Sequence, residues 1–385
     1  EADDDQRDKR FYDRIESQED VLNQLLSDRF SRAFLQQTAG MGLRRNGQDS
    51  RLNLFLAAQR SYLQRQAASL GELPERSFWY LMPQASWEYD FTDSKNIELN
   101  YSTRVRTPAL EQLQPIIDNS NALSLYQGNP DLRPEYQHEF SGGLHLIDGF
   151  SFTNFFLNLS STYVQDRIIN ELTIDSLLRQ VRRPINTDYE WQNRVYASFS
   201  TPLRSLGVSI NLRGNLSYTR GFVALNQLQD LANRWNQEWS FSFGNRKKEQ
   251  FDWELGTSWN YSQTAYQQQD RFNQNYSRQD AFALFTVFLP AHWVVSTEME
   301  YQRYSNESFG QANDFTLWQA SISKSLLKHK RLLIKLSVFD ILNQNTGLRR
   351  QNAFNYFEET RANALGRYAM LSVTYKINAL SSDDD

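Results

Sequence analysis

The chain has 385 residues, a formal net charge of −4 and no cysteine. Disulfides, thiolate metal sites and cysteine catalysis are therefore excluded, and the charge balance gives no electrostatic footprint for nucleic acid. Mean hydropathy is −0.66 and no run approaches the about 20 apolar residues of a membrane-spanning helix; yet aromatics reach 14%, with 25 Phe, 19 Tyr and 9 Trp.

A transmembrane β-barrel combines these features, because only every second strand residue meets lipid. A soluble, carbohydrate-binding β-protein combines them too, and composition leaves both open. In chain order, residues 1–29 open on a charged run, Glu1 to Arg10, with no apolar stretch behind it. No signal peptide is present, so an exported protein would carry its signal upstream. This segment reads as a polar external loop, partly helical in pattern at Val21, Leu22, Leu25 and Leu26.

From residue 30 the dominant signal is period-two alternation. Ile97, Leu99, Tyr101, Thr103 and Val105 alternate with Glu98, Asn100, Ser102, Arg104 and Arg106. Val208 to Tyr218 and Phe251 to Ser262 behave alike. About fifteen strands are expected, near 31–43, 51–62, 79–91, 97–106, 136–147, 151–164, 190–200, 208–220, 235–244, 251–263, 279–289, 293–304, 315–326, 332–342 and 367–377. Many reach the about 9–11 residues that cross a bilayer when tilted.

Short turns fall at Asn46-Gly47, Asp93 to Lys95, Asp148-Gly149, Arg204 to Leu206, Asn245 to Glu249, Pro290-Ala291 and Leu327 to Lys330. Long polar segments lie between them, near 63–78, 107–135, 165–189, 221–234, 264–278, 305–314 and 343–366. This strict alternation of short and long connections marks an outer-membrane barrel, with tight periplasmic turns and long external loops. Bulky aromatics gather at strand ends, as at Trp293 and at Tyr301 with Tyr304, which fits interfacial girdles. The reading is an all-β, antiparallel up-and-down transmembrane barrel over residues 30–378, with 379–385 as a C-terminal tail. An odd strand count leaves an open sheet in lipid, so further strands from upstream are expected to close it.

Gly128-Asn129-Pro130-Asp131-Leu132-Arg133-Pro134-Glu135 is the most specific local motif. With Tyr101-Ser102-Thr103-Arg104, Pro108, Leu113 and Pro115 before it, the chain resembles the C-terminal barrel portion of TonB-dependent outer-membrane receptors. Phe339-Asp340-Ile341-Leu342-Asn343-Gln344-Asn345 resembles that family's penultimate-strand signature. Gly366-Arg367-Tyr368 and Tyr375-Lys376-Ile377 resemble its final strand, although here Asn378 follows where family barrels often end on an aromatic. The resemblance covers roughly residues 80–377 and implies a barrel of about 22 strands. It also implies an upstream plug domain and drive from the inner-membrane TonB complex. From its own residues the eight-residue motif reads as loop-shaping: two prolines force extended geometry on their predecessors, and Gly128 permits a tight turn. Asp340 and Asn343 read as rim turn residues.

No enzymatic constellation is evident. His138 and His145 point to opposite faces of one strand, His292 and His329 fall in short turns, and no metal-ligand spacing occurs. No catalytic residue, metal ligand or cofactor site is assigned. Polar-face residues Glu98, Asn100, Arg104, Arg213, Glu254, Glu298 and Glu300 are expected to line a lumen. Trp79, Tyr126, Phe222, Tyr266, Phe272, Tyr276, Phe309, Phe354 and Tyr356 are expected on loops, where binding groups concentrate; which of them touch ligand is not readable. The resulting expectation is a barrel that captures a solute on external loops and passes it through the lumen, embedded in outer-membrane lipids. A surface lipoprotein capping the loops is left open, as are the ligand and the oligomeric state. Two alternatives stand beside it: a non-transporting scaffold or envelope-assembly barrel, and the soluble carbohydrate binder, which would bury Leu99, Leu212 and Trp253 in a dry core.

Overall fold

The computed structural model describes residues 2–9, 12–13, 21–22, 28–67, 71–118, 124–174, 179–306, 313–345, 347–352 and 357–377. An 18-stranded sheet holds most of them. Its wall strands are β1 (Ala2–Lys9), β2 (Asp28–Asn46), β3 (Ser50–Ala67), β4 (Gly71–Thr92), β5 (Lys95–Arg106), β6 (Glu135–Asp148), β7 (Thr153–Ile174) and β8 (Gln180–Leu203). They continue as β9 (Val208–Leu225), β10 (Leu228–Asn245), β11 (Phe251–Tyr266), β12 (Gln274–Leu289), β13 (Trp293–Asn306), β14 (Asn313–Leu326), β15 (Leu332–Phe339) and β16 (Tyr368–Tyr375). Each pairs antiparallel with the next in sequence. This is an up-and-down wall, and it is not closed: among the described residues no register joins β16 to β1 or β2.

Every expected strand is present, and two expectations are corrected. Residues 1–29 are not loop throughout, because β1 pairs from Ala2↔Leu35 to Lys9↔Asp28. Its composition is too acidic to show alternation, so only pairing reveals it. Most of the long segments are also much shorter than expected. The 221–234 segment is a two-residue turn at Asn226-Gln227, both at positive φ, and 264–278 shrinks to the stretch between β11 and β12. There the ladders continue past the membrane. A strand of 24 residues such as β8, at about 3.3 Å per residue and a tilt of roughly 40°, rises about 60 Å. Bilayer hydrocarbon is only about 30 Å thick. Above it both faces are wet, so the apolar/polar signal fades while backbone pairing persists.

Register carries one apolar face around the wall. Leu99 lies opposite Trp87 and Gly142, Gly142 opposite Leu159, Leu159 opposite Val195, and Val195 opposite Leu216. Farther on, Trp239 pairs Trp259, Val295 pairs Ile322, and Leu336 pairs Leu371. A slip of one residue in any ladder would turn its side chains to the other face. No second layer covers this face among the described residues: Met41 is 80% exposed, Leu371 67% and Leu43 65%. Leu212 is likewise exposed, so the dry core required by the soluble alternative is not there. The apolar area must find its partner in hydrocarbon.

Candidate functional site

The opposite face is polar and holds the functional candidates. Glu98, Asn100 and Arg104 share one face of β5; Arg213, Glu254, Glu298 and Glu300 share it on β9, β11 and β13, by the registers above. Arg104 donates to Gln137 Oε1 at 2.9 Å and to Glu139 Oε1 at 2.7 Å. Gln319 Nε2 donates to Glu298. Glu98 lies over Gly143, where an added Cβ would sit 2.8 Å from its Oε1. Near the short turns Arg51 bonds Glu88 and lies 3.1 Å from Asp90. A groove of about 300 Å³ runs along this face, lined by Lys248, Glu254, Glu298, Ser321, Lys335 and Ser337 among others. It offers donors, acceptors and both charge signs, as a solute path requires.

On the apolar face the indoles satisfy themselves within the wall. Trp191 donates to Ser161 Oγ at 2.9 Å, Trp259 to Ser277 Oγ at 3.1 Å and Trp318 to Thr297 Oγ1 at 2.8 Å. Where water is absent each N–H needs an internal partner. His138 sits on this face, its Nδ1 2.8 Å from Tyr101 Oη. His145 lies on the other face, as expected from their spacing. His292 and His329 occupy short turns at positive φ. Among the described residues no three His, Asp or Glu side chains converge as a metal group.

In the connection between β5 and β6, the described residues 107–118 and 124–134 fold inward onto the polar side. Its short helix α1 (Leu110–Leu113) places Leu113 beside Leu132, Phe30 and Ala67, all 0% exposed. The eight-residue motif makes this possible. Gly128 approaches the Gln114 carbonyl so closely that a Cβ would sit 2.1 Å from the oxygen. Asn129 accepts from the Asp131 N–H at 3.0 Å and donates Nδ2 to the Pro184 carbonyl at 3.0 Å. Arg65, almost fully buried, donates to the Pro130 carbonyl and, at 2.6 Å, to that of Pro74. Arg76 reaches Asp131 Oδ1 at 2.9 Å, and Arg32 reaches the Pro108 carbonyl at 2.6 Å. Glu135 ends the motif, accepting from Arg167 at 3.0 Å and from the Ile168 N–H at 2.8 Å. The motif therefore shapes the loop, and it bridges β2–β4 to β7–β8. At the same long-loop rim, after β15, Asp340 accepts from the Gln344 and Asn345 N–H groups, and Asn343 from that of Arg367.

The loop aromatics divide. Tyr126, Trp79, Phe222, Tyr266 and Tyr276 lie on strands, Phe272 in a short 3-10 turn, and Phe309, Phe354 and Tyr356 outside the described residues. Trp79 is exposed beneath the Arg60 guanidinium. Tyr276 is buried against Tyr304.

An antiparallel wall with one lipid-type face and one charged face defines an outer-membrane β-barrel protein. A family model described as the outer membrane protein beta-barrel family matches residues 60–283 and 230–375, and the chain belongs to that family. No curated protein matches. Among solved structures the chain is similar to OmpT (in-vitro folded), an outer membrane protein of Vibrio cholerae, at 7% identity and a TM-score of 0.31. That match covers 91% of this chain and 98% of the other.

Proposed function

We propose that this barrel is the wall of a TonB-dependent transporter, capturing a solute at its long hairpins and passing it along the polar face. The observation that carries the reading is the charged, largely polar face, with its grooves and the Gly128–Glu135 loop folded onto it. The motif Gly128 to Glu135, shared in pattern with TonB-dependent receptors, supports it. A non-transporting scaffold has less use for a charged interior. The work assigned is capture and passage, not catalysis. In this reading the short turns and the C-terminus are periplasmic. A plug fills the lumen, TonB acts through it, and further strands satisfy the edges of β1, of β2 beyond Leu35 and of β16 that lipid could not.

The test is growth and uptake on siderophore-iron, cobalamin, peptide and glycan sources, comparing loss of this gene with loss of TonB. A source lost in both supports the proposal. Loss with the gene alone removes energy coupling; no loss with the gene removes transport.

A further inference from the structure

We infer that the polar face carries a binding recess for a neutral polyhydroxylated ring, such as a single sugar unit, at the level of Asn236, Ser262 and Tyr276. These three lie side by side across β10, β11 and β12: Asn236↔Ser262 and Ser262↔Tyr276 are direct register partners. With Asn215, Glu238 and Asn260 they line a recess of about 220 Å³. This is below the about 300–1,000 Å³ of drug-sized pockets, so the recess takes one ring rather than a chain.

Its chemistry selects the ligand class. The lining is mostly amide and hydroxyl, which read hydroxyls by paired donors and acceptors. Arg234 and Glu238 are both in the lining and offset each other's charge, so no net field favours an ion. Tyr276, packed against Tyr304, closes one side of the recess. Part of the framework is already fixed: Ser262 Oγ donates to Asn236 Oδ1 at 2.7 Å, and Asn236 Nδ2 donates to Ser217 Oγ at 3.3 Å. What is left over points to a ligand. Asn215 Oδ1 is buried in the lining with no hydrogen-bond partner. A buried polar atom left unpaired is costly, and a ligand hydroxyl would satisfy it.

The inference rests on the polar face being a solute path but not on energy coupling. The experiment uses the full chain in detergent micelles and saturation-transfer NMR with glucose, galactose, mannose and N-acetylglucosamine, with lysine and citrate as charged probes. At least one sugar is expected to show saturable transfer, weakened tenfold or more in Asn215→Ala and in Asn260→Ala. Asn53→Ala, on the same face but remote, should leave it unchanged. Heat-modified gel migration verifies that each variant folds. No saturable transfer from any of the four sugars overturns the inference, as does binding insensitive to Asn215 and Asn260, or a charged probe bound more tightly. Sugar binding without TonB-linked uptake would sink the transport reading and leave the recess standing.

Discussion

Glu135 illustrates how single residues hold the inward loop. Its side chain is 2% exposed yet engaged at both oxygens, Oε1 by Arg167 and the Ile168 backbone and Oε2 by Gln137. Arg167 also reaches Glu190 at 3.2 Å, so Glu135→Gln leaves the cation one carboxylate. A cost of about 1–3 kcal/mol follows, the range for disturbing a buried hydrogen bond to a charged group. Leu132→Ala should cost about 2–5 kcal/mol, because it empties a site at 0% exposure in a close-packed cluster. Both losses belong to the loop rather than the wall. Hydrogen exchange should show faster exchange in 107–134 and unchanged protection in β9–β13. Uniform loss of protection would refute the idea that the loop is a separate cluster docked on the wall. The turn-forming half of this motif was legible from Gly128 and the two prolines. Its partners were not, because Arg65 and Arg76 reach Pro130 and Asp131 across 65 and 55 residues, and guanidinium-to-carbonyl pairing leaves no local pattern.

At the scale of elements, two properties of the strands can be tested. The first is sidedness. With no native cysteine, Gln267→Cys beyond β11 and Lys247→Cys in the turn after β10 are clean reporters, both exposed. A membrane-impermeant maleimide should label the former on intact cells and the latter only after permeabilisation; the reverse pattern inverts the barrel in the membrane. The second is the internal satisfaction of lipid-facing indoles. Ser277→Ala removes the acceptor of the Trp259 N–H and should cost about 1–3 kcal/mol. Adding Trp259→Phe to it should recover part of that loss, since the orphaned donor is gone. Equilibrium urea unfolding in liposomes measures both. Strand positions were readable because hydrocarbon imposes a period of two on β5, β9 and β11. Strand lengths were not: Asn226 and Gln227 turn tightly without the usual glycine, and the Asn226 side chain instead accepts the Ile174 N–H at 2.9 Å. The groove and recess were equally hidden, since a scattered set such as Asn215, Asn236 and Asn260 becomes a site only once register aligns it.

For the whole molecule, the division of faces is the property on which membrane residence depends, and adjacent residues test it. Leu212 lies between Phe199 and Phe241 on the apolar face; Arg213 lies between Ser198 and Ser240 on the polar face. The two share a height in the wall and differ only in direction. Leu212→Arg places a cation toward hydrocarbon, at a cost of about 2–4 kcal/mol near the bilayer midplane. Arg213→Leu removes an exposed, solvated charge, and such changes usually fall within about 0.5 kcal/mol. Folding into liposomes, followed by heat-modified migration and urea midpoint, should therefore rank Leu212→Arg far below Arg213→Leu, with the latter near the parent chain. Detergent micelles, which deform around a charge more easily than a bilayer, should narrow the gap. A gap of equal size in both media would attribute the loss to local packing against Phe199 and Phe241. A reversed ranking would turn the wall inside out and end the membrane reading, because the same register fixes the facing of every strand from β2 to β16.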